Sequence, residues 1–290
     1  MEQHALDAIE RVTTRKPEVY DTISVDPITP LTGAEISGLD LSKELTDGQV
    51  DELRRAFLAH HVLVFRDQTM TPEDHKRLAA HFGELHPVAA PAEDSDPYVL
   101  ELSTTKESRA VAGNGWHADG TADAEPSLGS MLHIIRPPEG GSGGDTLFAN
   151  MHLAYELLSP AMKEFLDGLT AVHDGILPWQ GQTPPADYVV PVNEHPVVPR
   201  HPDTGRKLLF VNGAYTSHIP QLTRGESKAV LEMLFDHIAR TPLLNCRVRW
   251  TPGTLVFWDN RCLQHHATWD YYPQTRYGRR VAIKGHRPQA

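Results

Sequence analysis

The chain has 290 residues, 40% of them apolar and 22% charged, with a formal net charge of −11. That length can bury a large core, and the acidic balance argues against a nucleic-acid or anionic-membrane partner, since both need clustered positive charge. Two cysteines are too few for a disulfide framework and no apolar run approaches ~18 residues, so a cytoplasmic protein without a membrane span is expected.

In chain order, residues 1–22 are polar and mixed in charge and read as a short helix or arm before a single domain at 23–290. Residues 28–41 mix β-branched residues with Gly and Pro, which predicts short strands and turns. A helix follows over 46–61, with Thr46 as its N-cap and Val50, Leu53, Phe57 and Leu58 at helical spacing. The run 62–67 reads as a buried strand, and Thr71-Pro72 opens a second helix over 71–85. Residues 86–130 are rich in loop signals.

A strand is expected within 127–138, stopped by two prolines. A glycine-rich turn and another strand follow over 139–150. Residues 151–169 carry one or two helices split near Pro160. The Pro-rich stretch 175–205 has no period and suggests a long loop or lid. Residues 206–219 read as strand, turn and short strand, and 223–241 as an amphipathic helix. Residues 246–260 read as a hairpin turning at Pro252-Gly253, and 276–285 contain the last strand. There is no regular βαβ alternation, GxGxxG or P-loop, which argues against a Rossmann fold or TIM barrel. A mainly β sandwich or jelly roll with helices packed outside is the better class.

Chemistry concentrates in two places. "GNGWHADGTAD" (113–123) places His117 and Asp119 two apart, on the same side of an extended segment. "WDNRCLQHHATWDYYPQTRYGRR" (258–280) holds adjacent histidines, His265 and His266, of which a strand turns only one inward. Arg276 and Arg280 follow, and arginine suits paired hydrogen bonds to a carboxylate or sulfonate. Two histidines and a carboxylate form the facial triad of non-heme Fe(II) oxygenases, which leaves open positions on the metal. The same ligands could hold Zn²⁺ in a hydrolase, and a non-catalytic jelly-roll binding protein is a further alternative.

The ordered pieces "GAEISGLDL", "VLVFRDQ", "HFGELHPV", "WHAD", "GGDT" and the 258–280 segment resemble the taurine dioxygenase (TauD/TfdA) family of Fe(II)/2-oxoglutarate dioxygenases across roughly residues 24 to 288. The resemblance implies a double-stranded β-helix (jelly roll) core with flanking helices, of the clavaminate synthase/TauD type, and often a homo-dimer or tetramer. It implies His117, Asp119 and His265 as iron ligands, and Thr146 and Arg276 as the residues binding 2-oxoglutarate. Arg280, His86 and Gly120 become the substrate contacts. The implied reaction consumes O₂ and 2-oxoglutarate, releases succinate and CO₂, and hydroxylates a small to medium anionic substrate. A sulfonate or sulfate ester fits, as does hydroxylation or desaturation of a carboxylate, phosphonate or larger metabolite. Asp119 argues against a halogenase. Ala89 and Ala122 stand where the family's taurine-type members carry aromatics, which suggests a substrate bulkier than taurine.

Overall fold

Thr46, Thr71 and Thr223 each accept a bond from the backbone N–H three residues on, and the side chain there, Gln49, Asp74 or Glu226, reaches back to the Thr backbone. These capping boxes start the three longest predicted helices at the expected residues. The computed structural model describes residues 2–14, 16, 18–88, 95–111, 113–179, 183–184 and 188–290. The first half holds α1 (Gln3–Thr13), β1 (Ser24–Pro27), β2 (Ala34–Ser37), α2 (Asp47–His60), β3 (Val62–Phe65), α3 (Pro72–Ala80), β4 (Leu85–His86), β5 (Leu100–Thr104) and β6 (Gly129–Arg136). The second half holds β7 (Thr146–Asn150), α4 (Met151–Glu156), α5 (Pro160–Leu166), β8 (Thr170–Asp174), β9 (Val192–Pro196), β10 (Thr216–His218), α6 (Arg224–Arg240), β11 (Asn245–Val248), β12 (Thr254–Asp259), β13 (Leu263–Ala267) and β14 (Arg276–Ile283).

The architecture is mainly β with flanking helices. The largest sheet runs β1-β2-β3-β12-β6-β14-β4, with β5 also paired to β14. Two three-stranded sheets, β11-β7-β13 and β10-β8-β9, complete it. The central strands β3 and β12 of the large sheet are buried on both faces, and the sheet's period-2 pattern divides two cores. On one face Leu63, Phe65, Met131, Leu255, Phe257 and Val281 pack with residues of α2 and α3. On the other, Val62, Val64, Leu132, Val256 and Trp258 pack with Phe148 and Leu263 of the β7-β13 sheet. The gap between this second face and β7-β13 is where the chemistry collects.

Four expectations need correction. Residues 246–260 are not a hairpin: β11 pairs with β7, whereas β12 pairs with β3 and β6. The turn is pinned outward instead, with Gly253 N–H donating to Ile134 O and Gln68 N–H to Gly253 O. The apolar run Leu208–Val211 is buried but not a strand. Its N–H groups disperse, with Leu208 on Pro199 O, Leu209 on Met151 O and Phe210 on Val197 O. The second helix stops at Ala80 rather than 85. The expected 175–205 loop contains β9, paired along its length with β8; residues 180–182 and 185–187 lie outside the described residues. Residues 1–22 begin with a docked helix, α1, whose Ala5 and Ala8 are buried. No helix among the described residues is long and apolar enough to cross a membrane.

Candidate active site

His265 lies on β13 opposite Phe148 of β7. His117 sits in an extended segment that bridges directly to it, with His117 N–H donating to His265 O at 3.1 Å and His265 N–H to His117 O at 2.7 Å. This bridge joins residues 148 apart in the chain and fixes the two rings with centroids 4.1 Å apart. Asp119 Oδ1 lies 3.7 Å from His117 Nε2 and 3.8 Å from His265 Nε2. One ligand atom from each residue falls within 4.8 Å of the others. His265 is buried, whereas its neighbour His266 turns outward and packs edge-on against Trp116. Strand alternation thus separates the adjacent pair.

The protonation states suit a metal. Burial, then His117 beside it, pushes His265 down to about 3, so its imidazole is neutral. His117 Nδ1 donates to Gly115 O at 2.9 Å, which turns Nε2 toward Asp119. Burial opposes ionisation of Asp119, but Arg280, His265 and His117 override it and hold its carboxyl well below the usual range. Two imidazoles and one carboxylate, without sulfur, form a donor set that fits Fe(II).

Asp119 is held from three sides. Arg280 Nη1 donates to Oδ1 at 2.8 Å and Ser130 Oγ to Oδ2 at 3.1 Å. Its peptide is clamped by Asn260, whose Oδ1 accepts from Asp119 N–H at 2.7 Å while Nδ2 donates to Asp119 O at 2.9 Å. Asn260 belongs to the "WDNR" piece, but the sequence reading gave it no role. Its neighbour Asp259 is fully buried, accepts from Arg261 and pairs with His201 at 3.0 Å, which fixes the turn carrying Asn260.

Arg276 and Arg280 share one face of β14, four residues apart and therefore roughly 13 Å apart at ~3.3 Å per residue. Arg276 is buried with its guanidinium over the Trp250 ring at 5.3 Å. Among the described residues its Nε and Nη2 have no hydrogen-bond partner. Burial lowers its pKa, although Tyr271 and Asp145 beside it act the other way. A buried cation with spare donors calls for an anion. Trp250 Nε1 donates to Thr146 Oγ1 at 3.1 Å, so one indole touches both residues assigned to 2-oxoglutarate.

Arg280 and Asp119 open onto a cavity of about 370 Å³ that His86 and Gly120 also line. His86 reaches it on β4, paired with Ala282 of β14. Gly120 has φ +61, a left-handed conformation that favours glycine, and a Cβ there would meet Asp123 Oδ2 at 2.8 Å. Ala122 lines the cavity, as the small-residue reading expects, but Tyr98, Tyr188 and Tyr215 supply bulk from distant segments. Ala89 lies outside the described residues. A larger cavity of about 610 Å³, lined by Pro199, Phe210 and Pro288 among others, contains none of the three candidate ligands.

This geometry coincides with a family match. Residues 24–282 match the model of the taurine catabolism dioxygenase TauD, TfdA family. The chain belongs to the TauD/TfdA family. This TauD/TfdA enzyme is a 2-oxoglutarate-dependent dioxygenase, with Fe(II), 2-oxoglutarate and O₂ as its metal, co-substrate and oxidant. It is 33% identical to an alpha-ketoglutarate-dependent sulfate ester dioxygenase of Pseudomonas putida, over 92% of this chain and 91% of the other. A taurine dioxygenase from Burkholderia xenovorans superposes with a TM-score of 0.80 at 36% identity, covering 92% and 91% of the two chains. AAD-2, solved with Mn(II) and N-oxalylglycine, superposes at 0.78 with 26% identity, over 93% and 100%.

Proposed function

We propose that this dioxygenase hydroxylates a small to medium organic sulfonate or sulfate ester at the carbon bearing the anionic group. The observation that carries the reading is the division of charge on β14. Arg280 lines a 370 Å³ cavity beside Asp119, while Arg276 keeps two unpartnered donors against Trp250. In this reading His117, Asp119 and His265 hold the metal, which supplies O₂ activation and a chelation point for the keto acid. Arg276 and Thr146 orient the far carboxylate of 2-oxoglutarate. Arg280, His86 and the Gly120 backbone position the prime substrate, and the surrounding tyrosines exclude water.

One oxygen of O₂ leaves in succinate and the other becomes the hydroxyl of the product. With a sulfonate or sulfate on the same carbon, that product collapses to an aldehyde and sulfite or sulfate. Likeness to a sulfate ester dioxygenase and a taurine dioxygenase supports this class. Asp123 adds a selective feature. It lines the cavity, and burial raises its pKa despite His86 nearby, so it is a polar group the substrate must accommodate.

The double-stranded β-helix is the reading of the two facing sheets, and residues 23–290 are read as one catalytic domain after the N-terminal arm. A cytoplasmic homo-oligomer completes the proposal. The deciding experiment is succinate release with Fe(II), 2-oxoglutarate and O₂ over alkanesulfonates, aminoalkanesulfonates, alkyl sulfates, phosphonates and aryloxy acids. Stimulation by a sulfonate or sulfate with aldehyde formation supports the assignment. Stimulation only by carboxylates or phosphonates rejects it.

A further inference from the structure

A second set of metal-binding side chains lies beside the strand that carries His265. His61, His152 and Cys262 are all buried, and one ring nitrogen of each histidine and Cys262 Sγ lie within 4.8 Å of one another. They come from three elements. His61 caps the C-terminus of α2, His152 is in the first turn of α4, and Cys262 lies in the turn between β12 and β13.

Two observations go beyond proximity. His152 Nδ1 lies 2.9 Å from Lys207 O and so carries the proton, leaving Nε2 with a lone pair. That Nε2 is buried without a hydrogen-bond partner among the described residues. A backbone carbonyl on one ring nitrogen and a free lone pair on the other is the usual state of a metal-ligating histidine. Second, His61 Nδ1 is 3.6 Å from Cys262 Sγ. Metal–nitrogen and metal–sulfur bonds of about 2.0 and 2.3 Å at a tetrahedral angle span an edge of about 3.6 Å.

The neighbouring groups are already engaged. His201 Nε2 bonds Asp259 at 3.0 Å and its Nδ1 accepts from the N–H groups of Asp203 and Thr204. Arg206, a cation that disfavours protonation of His61 and His152, is turned to Glu156.

We propose that His61, His152 and Cys262 form a second, structural site for a thiophilic divalent ion of the zinc class, separate from the His117–Asp119–His265 centre. Burial pushes the Cys262 thiol well above its ordinary pKa, so binding releases the thiol proton to solvent as the ion takes the thiolate. The ion ties α2 and α4 to the turn three residues before His265.

Co²⁺ tests this, because the catalytic centre has no sulfur ligand. Metal-stripped full-length protein, titrated with Co²⁺ under reducing conditions, should bind two ions per chain and develop a near-ultraviolet thiolate-to-cobalt charge-transfer band. His117→Ala should lower the stoichiometry to one and keep the band. Cys262→Ser and His152→Ala should lose the band, and Cys246→Ser should keep it. Binding of one Co²⁺ by the wild type with no thiolate band overturns the proposal, whatever the variants do. A band that survives Cys262→Ser overturns it equally.

Discussion

Arg280 Nη1 donates to Asp119 Oδ1 at 2.8 Å, and the same oxygen faces both candidate histidine ligands at 3.7 and 3.8 Å. Arg280 therefore couples the candidate metal-binding carboxylate to the cavity proposed for the substrate. Arg276, on the same face of β14, is tied instead to Trp250. The two arginines should separate kinetically. Losing a charge-assisted bond of about 1.5–3 kcal/mol implies about a ten- to hundredfold rise in KM. Arg280→Ala should show it for the prime substrate and Arg276→Ala for 2-oxoglutarate, measured by succinate release. An Arg280→Ala effect confined to 2-oxoglutarate would reverse the assignment.

Asn260 grips both polar groups of the Asp119 peptide and also donates to Ser127 O at 3.1 Å. Asn260→Ala should leave the three ligands present but loosely aimed. An affinity loss of about 10- to 100-fold for Mn²⁺ or Fe²⁺ is expected, as for other groups that orient metal ligands. Calorimetric titration of the stripped enzyme measures it. Unchanged affinity would mean that Arg280 and Ser130 suffice to aim Asp119.

Trp250→Phe keeps an aromatic face under Arg276 and removes the bond to Thr146 Oγ1. One neutral hydrogen bond of about 1 kcal/mol predicts roughly a fivefold rise in KM for 2-oxoglutarate with little change in kcat. Trp250→Ala should instead destabilise the fold by about 3–5 kcal/mol, because Trp250 is among the largest fully buried side chains. Urea denaturation distinguishes the two outcomes.

Glu52 supplies a pH-dependent contribution to stability. Its carboxylate accepts from Thr22 Oγ1 at 2.6 Å and from Thr22 and Ile23 N–H at 3.0 and 3.1 Å. The Thr22 hydroxyl first, then the Asp21 N–H, lowers its pKa from 4.5 to about 2. A depressed folded-state pKa stabilises above the unfolded value and loses that benefit as pH falls from about 4.5 toward 2. The Tm of wild type should fall more steeply across that window than that of Glu52→Gln, which should already be lower at neutral pH. Parallel Tm curves would exclude Glu52 as the titrating group.

Local signals carried much of the fold. Thr46 and Thr71-Pro72 announced their helices because a cap acts within one turn of its own chain, residues 223–241 announced theirs by an apolar period, and Val62–Phe65 announced a strand because a continuous apolar run fills both faces of a sheet. The HxD and QHH segments likewise held all three candidate ligands. What the residues could not give was partnership between distant segments. Whether 246–260 formed a hairpin depended on β7, β3 and β6 offering neighbours, and whether Leu208–Val211 formed a strand depended on where Pro199, Met151 and Val197 placed their carbonyls. Choosing His265 over His266 from the residues alone required a register that only the bridge to His117 displays.

Chemical identity was therefore local and readable in the chain, because ligand types and spacings belong to short segments. The tertiary structure decided the rest: Arg280 on Asp119, Asn260 around its peptide, Trp250 between Arg276 and Thr146, and three tyrosines restoring bulk to the cavity. Each is a contact between segments far apart in sequence. Such contacts leave no periodic or compositional mark, since they are set by sheet packing rather than by neighbours along the chain.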